Sequence, residues 1–217
     1  MTNFFVYSSR RFCLKLGSDM GAKWINIGID DSFWDRFYLP FPLVVIGSKE
    51  NNHFDLAPKH MAIPMSWENH YGFVCSPEHS TYQNIKEHGF FTVSYPKPSQ
   101  VVSTSLTASP REGTNSDKAI LDFIQTVPAE QIDGVFLKDS FLMLECKLFK
   151  IYDDFGRNSL ITVIIINARA HVDYLRNNDK DEQHQLHKHP LLTYLHPGRF
   201  AAIRETSAFP FPLNFKK

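Results

Sequence analysis

Two long runs rich in β-branched and aromatic residues, SFLMLECKLFKIYD (Ser140 to Asp153) and SLITVIIINARAHVDYL (Ser159 to Leu175), are joined by DDFGRN. A short glycine-bearing connection between two strand-prone runs specifies an antiparallel hairpin. Shorter runs of the same kind fill much of the remaining chain. LPFPLVVIGSKE enters a strand at Leu43, and NNHFD (Asn51 to Asp55) is turn chemistry. LAPKHMAIPMSW (Leu56 to Trp67) reads as an extended segment interrupted by Pro58 and Pro64. Proline cannot donate to a ladder, so this strand must bend or lie at an edge or rim. YGFVCS (Tyr71 to Ser76) follows, and the short turns predict that these three strands form one antiparallel meander. FFTVSYP returns as a strand, and PLLTYLHPGRFAAI reads as a last short strand with a turn.

Helical patterning is confined to brief stretches. Thr81 to His88 is stopped by Gly89. Gln100 to Leu106 is started by Ser99, and Ser116 to Ile124 by Asn115 or Ser116. The charged stretch Arg176 to His189 reads as a solvated loop. Six or more strands without regular strand-helix alternation exclude a parallel sheet. The predicted fold is mainly β, an antiparallel barrel, closed or nearly closed, with short peripheral helices, because closure removes sheet edges. At 217 residues the chain suits one domain with an extension. Residues 39–217 are expected to form that domain. Residues 1–38, with Trp24 and Trp34, are expected to pack on the barrel or on a partner subunit.

Several function classes are excluded or left unsupported. Lys plus Arg and Asp plus Glu number 23 each, so the chain lacks the basic excess that phosphate-backbone binding to nucleic acid needs. Cys13, Cys75 and Cys146 are odd in number and scattered, which gives neither a disulfide framework nor a zinc motif. Buried reduced thiols in a cytoplasmic protein are the simplest reading. The N-terminus has no uninterrupted apolar segment of the signal-peptide kind, and the longest apolar run, Leu160 to Ile166, is too short to span a bilayer. No membrane association is expected. His184, His187, His189 and His196 sit among Gln, Lys and Asp without ligand spacing, so no metal is expected. No Gly-x-Ser-x-Gly elbow and no Gly-x-Gly-x-x-Gly turn is present.

One stretch invites a chemical reading. In SPEHSTYQNI, Ser80 and Thr81 stand at the entry of a helical pattern, with Asn84 one turn on. Such hydroxyls either cap the helix, worth about 1 kcal/mol, or donate to an anion held at its positive end. The residues alone leave both open.

The order of these segments resembles the flavin reductase-like family. The likeness spans Leu39 to Ala202 and rests on PLVVIGSKENNHFDLAPKHMAIPMSWENHYGFVCSPEHSTYQNI, then DKAILDF, LMLECKLFKIYD, AHVDYL and PLLTYLHPGRFAAI. It implies a split β-barrel, a homodimer, and FMN, or more rarely FAD, lodged near the subunit interface. It places the flavin phosphate at Ser80 and Thr81, with Asn84 toward the phosphate or ribityl chain and Ser76 in the Ser-Pro that precedes them. Lys59, His60, Met61 and Ala62, which follow LAP, would offer backbone groups to the isoalloxazine edge. His171 matches the family's HVD position, and Arg199 its terminal GRY turn. One departure stands out. Many members carry Gly-x-His before the HVD strand, where this chain has DDFGRNSLIT, with Arg157 or Asn158 at the turn. The resemblance implies NADH or NADPH as electron donor. The departure leaves open a flavin-binding electron carrier without efficient nicotinamide turnover.

Overall fold

The computed structural model describes residues 24–30, 32–111, 118–176 and 181–212. The chain divides into two units, Met1–Phe37 and Tyr38–Lys217. In the first, Trp34–Arg36 form one 3-10 turn. Phe33 packs on Trp34 with ring centroids 4.7 Å apart and meets Phe37 edge-on at 6.4 Å. Residues 1–23, most of the expected N-terminal extension, lie outside the described residues, as does Cys13.

The second unit begins with β1 (Leu39–Pro42), β2 (Val44–Glu50), β3 (His53–Lys59), β4 (Ala62–Pro64) and β5 (His70–Cys75). Helix α1 (Ser80–His88) and β6 (Phe90–Tyr95) follow, then α2 (Val101–Leu106), β7 (Thr126–Pro128) and β8 (Val135–Leu137). The chain continues with β9 (Leu142–Phe155), β10 (Asn158–Ala170), α3 (Glu182–Lys188), β11 (Leu191–His196) and β12 (Arg199–Ile203). Seven strands form an antiparallel sheet in the order β3-β2-β6-β9-β10-β5-β4. A second sheet has the order β1-β11-β12, and β7 pairs with β8.

This order forces closure. β3 and β4 occupy opposite edges, yet only His60 and Met61 separate them in sequence. Strands spaced about 4.8 Å apart would put the edges of a flat seven-stranded sheet about 29 Å apart. Three Cα steps reach at most about 11 Å. The sheet must therefore curl until its edges nearly meet; beside the seam the Val74 amide extends the β4–β5 ladder to the Met61 carbonyl at 2.9 Å. The result is the mainly-β split barrel that the sequence implied. The expected meander is corrected by it: the proline-interrupted segment breaks at His60–Met61 into two edge strands, one in the β2–β3 hairpin and one in β4–β5. Pro58 and Pro64 both lie on edges, where a missing N–H costs no ladder bond.

The barrel interior is filled by Val44, Ile46, Phe73, Phe91, Cys146, Ile161 and Val163, all essentially inaccessible. Cys75 and Cys146 are free and buried. Gly47 is required by a close approach, since a Cβ there would stand 2.4 Å from both the Thr92 hydroxyl and the Val135 carbonyl. The predicted β9–β10 hairpin closes through Gly156, at φ +65°, and Arg157.

Four local expectations change. The stretch read as a solvated loop holds α3, capped by Asp181, whose Oδ1 accepts from the His184 amide at 2.7 Å. The last segment is two strands, β11 and β12, rather than one. α2 takes its N-cap from Gln100, not Ser99, after a 3-10 turn at Pro98–Gln100. The insert helix is a short 3-10 stretch, Ala119–Phe123, entered from Lys118; its expected starters, Asn115 and Ser116, lie outside the described residues. No helix among the described residues is long and apolar enough to cross a membrane.

Candidate functional site

The chain leaves β5 through a tight turn at Ser76–Pro77, where the His79 amide donates to the Ser76 carbonyl at 3.1 Å. The Ser76 hydroxyl accepts from the Glu78 amide at 3.3 Å. α1 then starts with His79 as N-cap and no side-chain cap at all. Intrahelical bonding begins at Tyr82, whose amide donates to the His79 carbonyl at 3.0 Å. Ser80 and Thr81 are thus the first two helical residues, and their amides precede the first helical bond. This removes the capping role from the two hydroxyls and leaves the helix start open to an acceptor from outside.

The helix is held in place from three sides. Tyr82 Oη and Ser159 Oγ both donate to Asp153 Oδ1, at 3.0 and 2.6 Å, and hold that carboxyl below its ordinary value. Asn84 is buried and donates from Nδ2 to Ser48 Oγ at 3.1 Å. At the far end Gly89 takes the left-handed conformation, φ +74°, and the Leu148 amide donates to its carbonyl at 2.8 Å.

A cavity of about 360 Å³ opens at the start of α1, and Ser80, Thr81, His79 and Lys59 line it. Arg111 and Lys118 form its far side. Lys118 Nζ sits 2.8 Å from Asp55 Oδ1 and donates to the carbonyls of Leu56 and Thr107 at 2.9 and 3.0 Å. Arg111 reaches Glu50 at 2.9 Å and Asp55 at 3.5 Å. These contacts pin the segment after α2 onto the β2–β3 hairpin, with Asp55 almost wholly buried beneath. The lining holds three basic side chains (Lys59, Arg111, Lys118) against two carboxylates (Asp55, Glu78), leaving one positive charge in excess. Lys59 carries no ion pair among the described residues, which makes it the cation available to a ligand. Burial, then Lys59, holds the His79 imidazole below its ordinary value, so the ring is neutral at pH 7. Burial pushes the Cys75 thiol up, and Cys75 is an inert neighbour, 3.8 Å from His79 Nδ1.

Ser80, Thr81 and Lys59, distant in sequence, therefore converge on one cavity. The remaining candidates do not line it. Asn84 points into the barrel. Ala62 is a core residue, Met61 is exposed, and Ser76 shapes the turn beneath. His60 lies among Tyr194, Phe41 and His196, at 4.7, 5.4 and 5.8 Å between ring centroids. Burial, then His196 and Lys59, lowers its basicity. His171 caps a 3-10 turn, its Nδ1 accepting from the Asp173 amide at 3.3 Å. Arg199 is exposed at the start of β12. No group of three His, Cys, Asp or Glu among the described residues could hold a metal ion.

Sequence reasoning missed His79, Arg111 and Lys118. Lys118 was visible within DKAILDF, but nothing local tells that it reaches Asp55 on another hairpin. Arg111 follows Ser-Pro in a loop and gives no signal of its own.

A curled antiparallel sheet, a short helix whose open start faces a mildly basic cavity, and an edge-strand lysine beside it define a split-barrel flavoprotein architecture. Residues 36–203 match the flavin reductase like domain, and the chain belongs to that family. Solved structures share the fold. Flavoredoxin from Methanosarcina acetivorans is 20% identical over 88% of this chain and 97% of its own, with a TM-score of 0.70. The FMN-binding protein from Thermus thermophilus is 16% identical over 86% and 99%, at 0.68. An NADH:FAD oxidoreductase from Streptomyces globisporus is 14% identical over 75% and 86%, at 0.60. No curated protein matches the chain.

Proposed function

We propose that this protein binds FMN, with the phosphate at the start of α1, and acts as an NAD(P)H-dependent flavin reductase-like oxidoreductase. The observation that carries the reading is the uncapped helix start, where Ser80 and Thr81 line a cavity that Lys59 also lines. A phosphate there accepts from the helix amides and both hydroxyls and pairs with the ammonium. The isoalloxazine runs along the edge formed by Lys59 to Ala62, whose backbone tolerates the unusual Lys and His side chains. A bound flavin supplies hydride chemistry; the protein binds, orients and excludes water.

A second reading has its own support. The Gly-x-His turn that the family resemblance implies reads Gly156-Arg157-Asn158 here, which favours a flavin-binding electron carrier with slow nicotinamide turnover.

The protein works as a homodimer. Met65, Phe149, Tyr152, Phe155 and Leu160 line an open apolar groove on one barrel face, and Phe149 and Phe155 are each more than half exposed. So much exposed aromatic surface calls for a partner. The buried reduced cysteines agree with a cytoplasmic setting.

The test is the visible spectrum of protein mixed with FMN, followed by anaerobic NADH or NADPH. Bound flavin bleached at a catalytic rate is the expected result. Bound flavin that stays oxidised supports the carrier, and absence of binding defeats both readings.

A further inference from the structure

The two residues that join the barrel's edges, His60 and Met61, lie in neither adjoining ladder register. The β2–β3 register ends with Lys59 opposite Val44, and the β4–β5 register begins with Ala62 opposite Phe73. Between them the backbone bends. Something other than strand pairing must hold it at His60.

The second sheet does so. Phe41 on β1 is the direct cross-strand partner of Tyr194 on β11, so their side chains share a face. His196 stands two residues after Tyr194 on the same strand, and therefore on that face as well. These rings receive His60. Its imidazole lies 4.7 Å from the Tyr194 ring, 5.4 Å from Phe41 edge-on, and 5.8 Å from His196, tilted only 20° from it. All four side chains are half-buried, whereas Met61 beside them is exposed.

The flavin reading above, on which this inference rests, has the isoalloxazine edge meet backbone groups of this connection. Backbone groups are open to a ligand only where no ladder uses them. A stretch outside a ladder must be ordered on binding, at a cost in affinity, unless the protein has ordered it beforehand. The three rings around His60 do that in advance. We infer that His60 is a positioning residue for the flavin ring: Phe41, Tyr194 and His196 grip its side chain and so hold the seam backbone in the shape that the isoalloxazine meets. The phosphate end, at the start of α1, does not depend on this grip. The second sheet thereby takes part in cofactor binding, with its rings acting only through His60.

The experiment is fluorescence titration of the intact protein with FMN and with riboflavin. His60→Ala and His60→Asn remove the ring. Each should weaken both flavins alike, because both carry the isoalloxazine, by about tenfold, equivalent to about 1.4 kcal/mol. His60→Phe restores a ring and should bring both affinities back to within about twofold of wild type, since the neighbours pack on a ring. Tyr194→Leu should reproduce the loss, and joining it to H60A should add little, because both changes break the same cluster. Should H60A not fold, H60N and Y194L carry the same expectation. Unchanged affinities, a loss confined to FMN, no recovery in H60F, or losses in H60A and Y194L that add in full each overturn the inference while the flavin reading stands. If wild-type protein binds no flavin, the parent reading falls and takes this one with it.

Discussion

Glu145, near the start of β9, is wholly buried, and its carboxylate is fully used. Oε2 accepts from the Gln131 and Ile132 amides at 2.7 and 3.0 Å, and Oε1 from the Glu130 amide at 3.0 Å and Asn167 Nδ2 at 2.8 Å. It thereby fastens the segment between β7 and β8 to the barrel. Glu145→Gln preserves the shape but turns one oxygen into an NH2 group, which faces donors whichever way the amide is turned. Two hydrogen bonds to a charged acceptor disappear, each worth about 1.5–3 kcal/mol. Part of this is recovered, because the neutral side chain is easier to bury and Glu130 and Gln131 lie near water. A net loss of about 2–4 kcal/mol follows. At about 2–4 °C per kcal/mol for a chain of this size, Tm should fall by about 5–15 °C.

The pH dependence adds a second signature. Burial alone would raise the Glu145 pKa, but hydrogen bonds from Glu130, Asn167, Gln131 and Ile132 outweigh it, and the folded value lies below the ordinary 4.5. A carboxyl with a depressed folded pKa contributes stability that is complete above the unfolded value and is lost as pH falls through the folded one. Wild-type protein should therefore lose stability below pH about 4.5 more steeply than E145Q. Urea denaturation at pH 7 and at stepwise lower pH measures both effects. A loss under 1 kcal/mol at pH 7, with parallel acid profiles, would refute the reasoning.

Two other variants address the ligand and the assembly. Ser80→Ala combined with Thr81→Ala should weaken FMN by about 30-fold or more, from two lost bonds to a charged acceptor. Riboflavin, which has no phosphate, should change by less than about twofold, and equal losses for both in titration would mark these hydroxyls as structural. Phe155→Asp places a charge in the apolar groove and should turn a dimer into monomers by sedimentation equilibrium; an unchanged mass means that this face is not the interface.

What the sequence disclosed follows from how locally each feature is encoded. The β9–β10 hairpin was legible because strand propensity and a glycine turn lie side by side. Pro58 and Pro64 marked edges, since a residue without an N–H announces its own constraint. α3 was hidden, because its only apolar residue, Leu186, left charge and polarity to dominate the reading. Ser80 and Thr81 were visible as a pair, but only coordinates could show that His79 precedes them as an N-cap without a side-chain bond. The Arg111–Asp55–Lys118 wall was illegible, because its members lie on separate segments and each is ordinary in its own surroundings.

The two residues between β3 and β4 also bear on how the molecule assembles. Four strand pairings, β1–β11, β2–β6, β5–β10 and β6–β9, join segments far apart in the chain, as Phe90 with Lys147, and must wait on slow encounters of distant segments. The seam is different. Lys59 and Ala62 are tethered from the start, and the closure entropy of so short a loop is small. Once the strands between them have paired, the ring has no large search left to make. Lys59 stands at that seam and lines the cavity at the start of α1, so an anion bound to it under the proposed reading would strengthen the join at the place where the barrel is split.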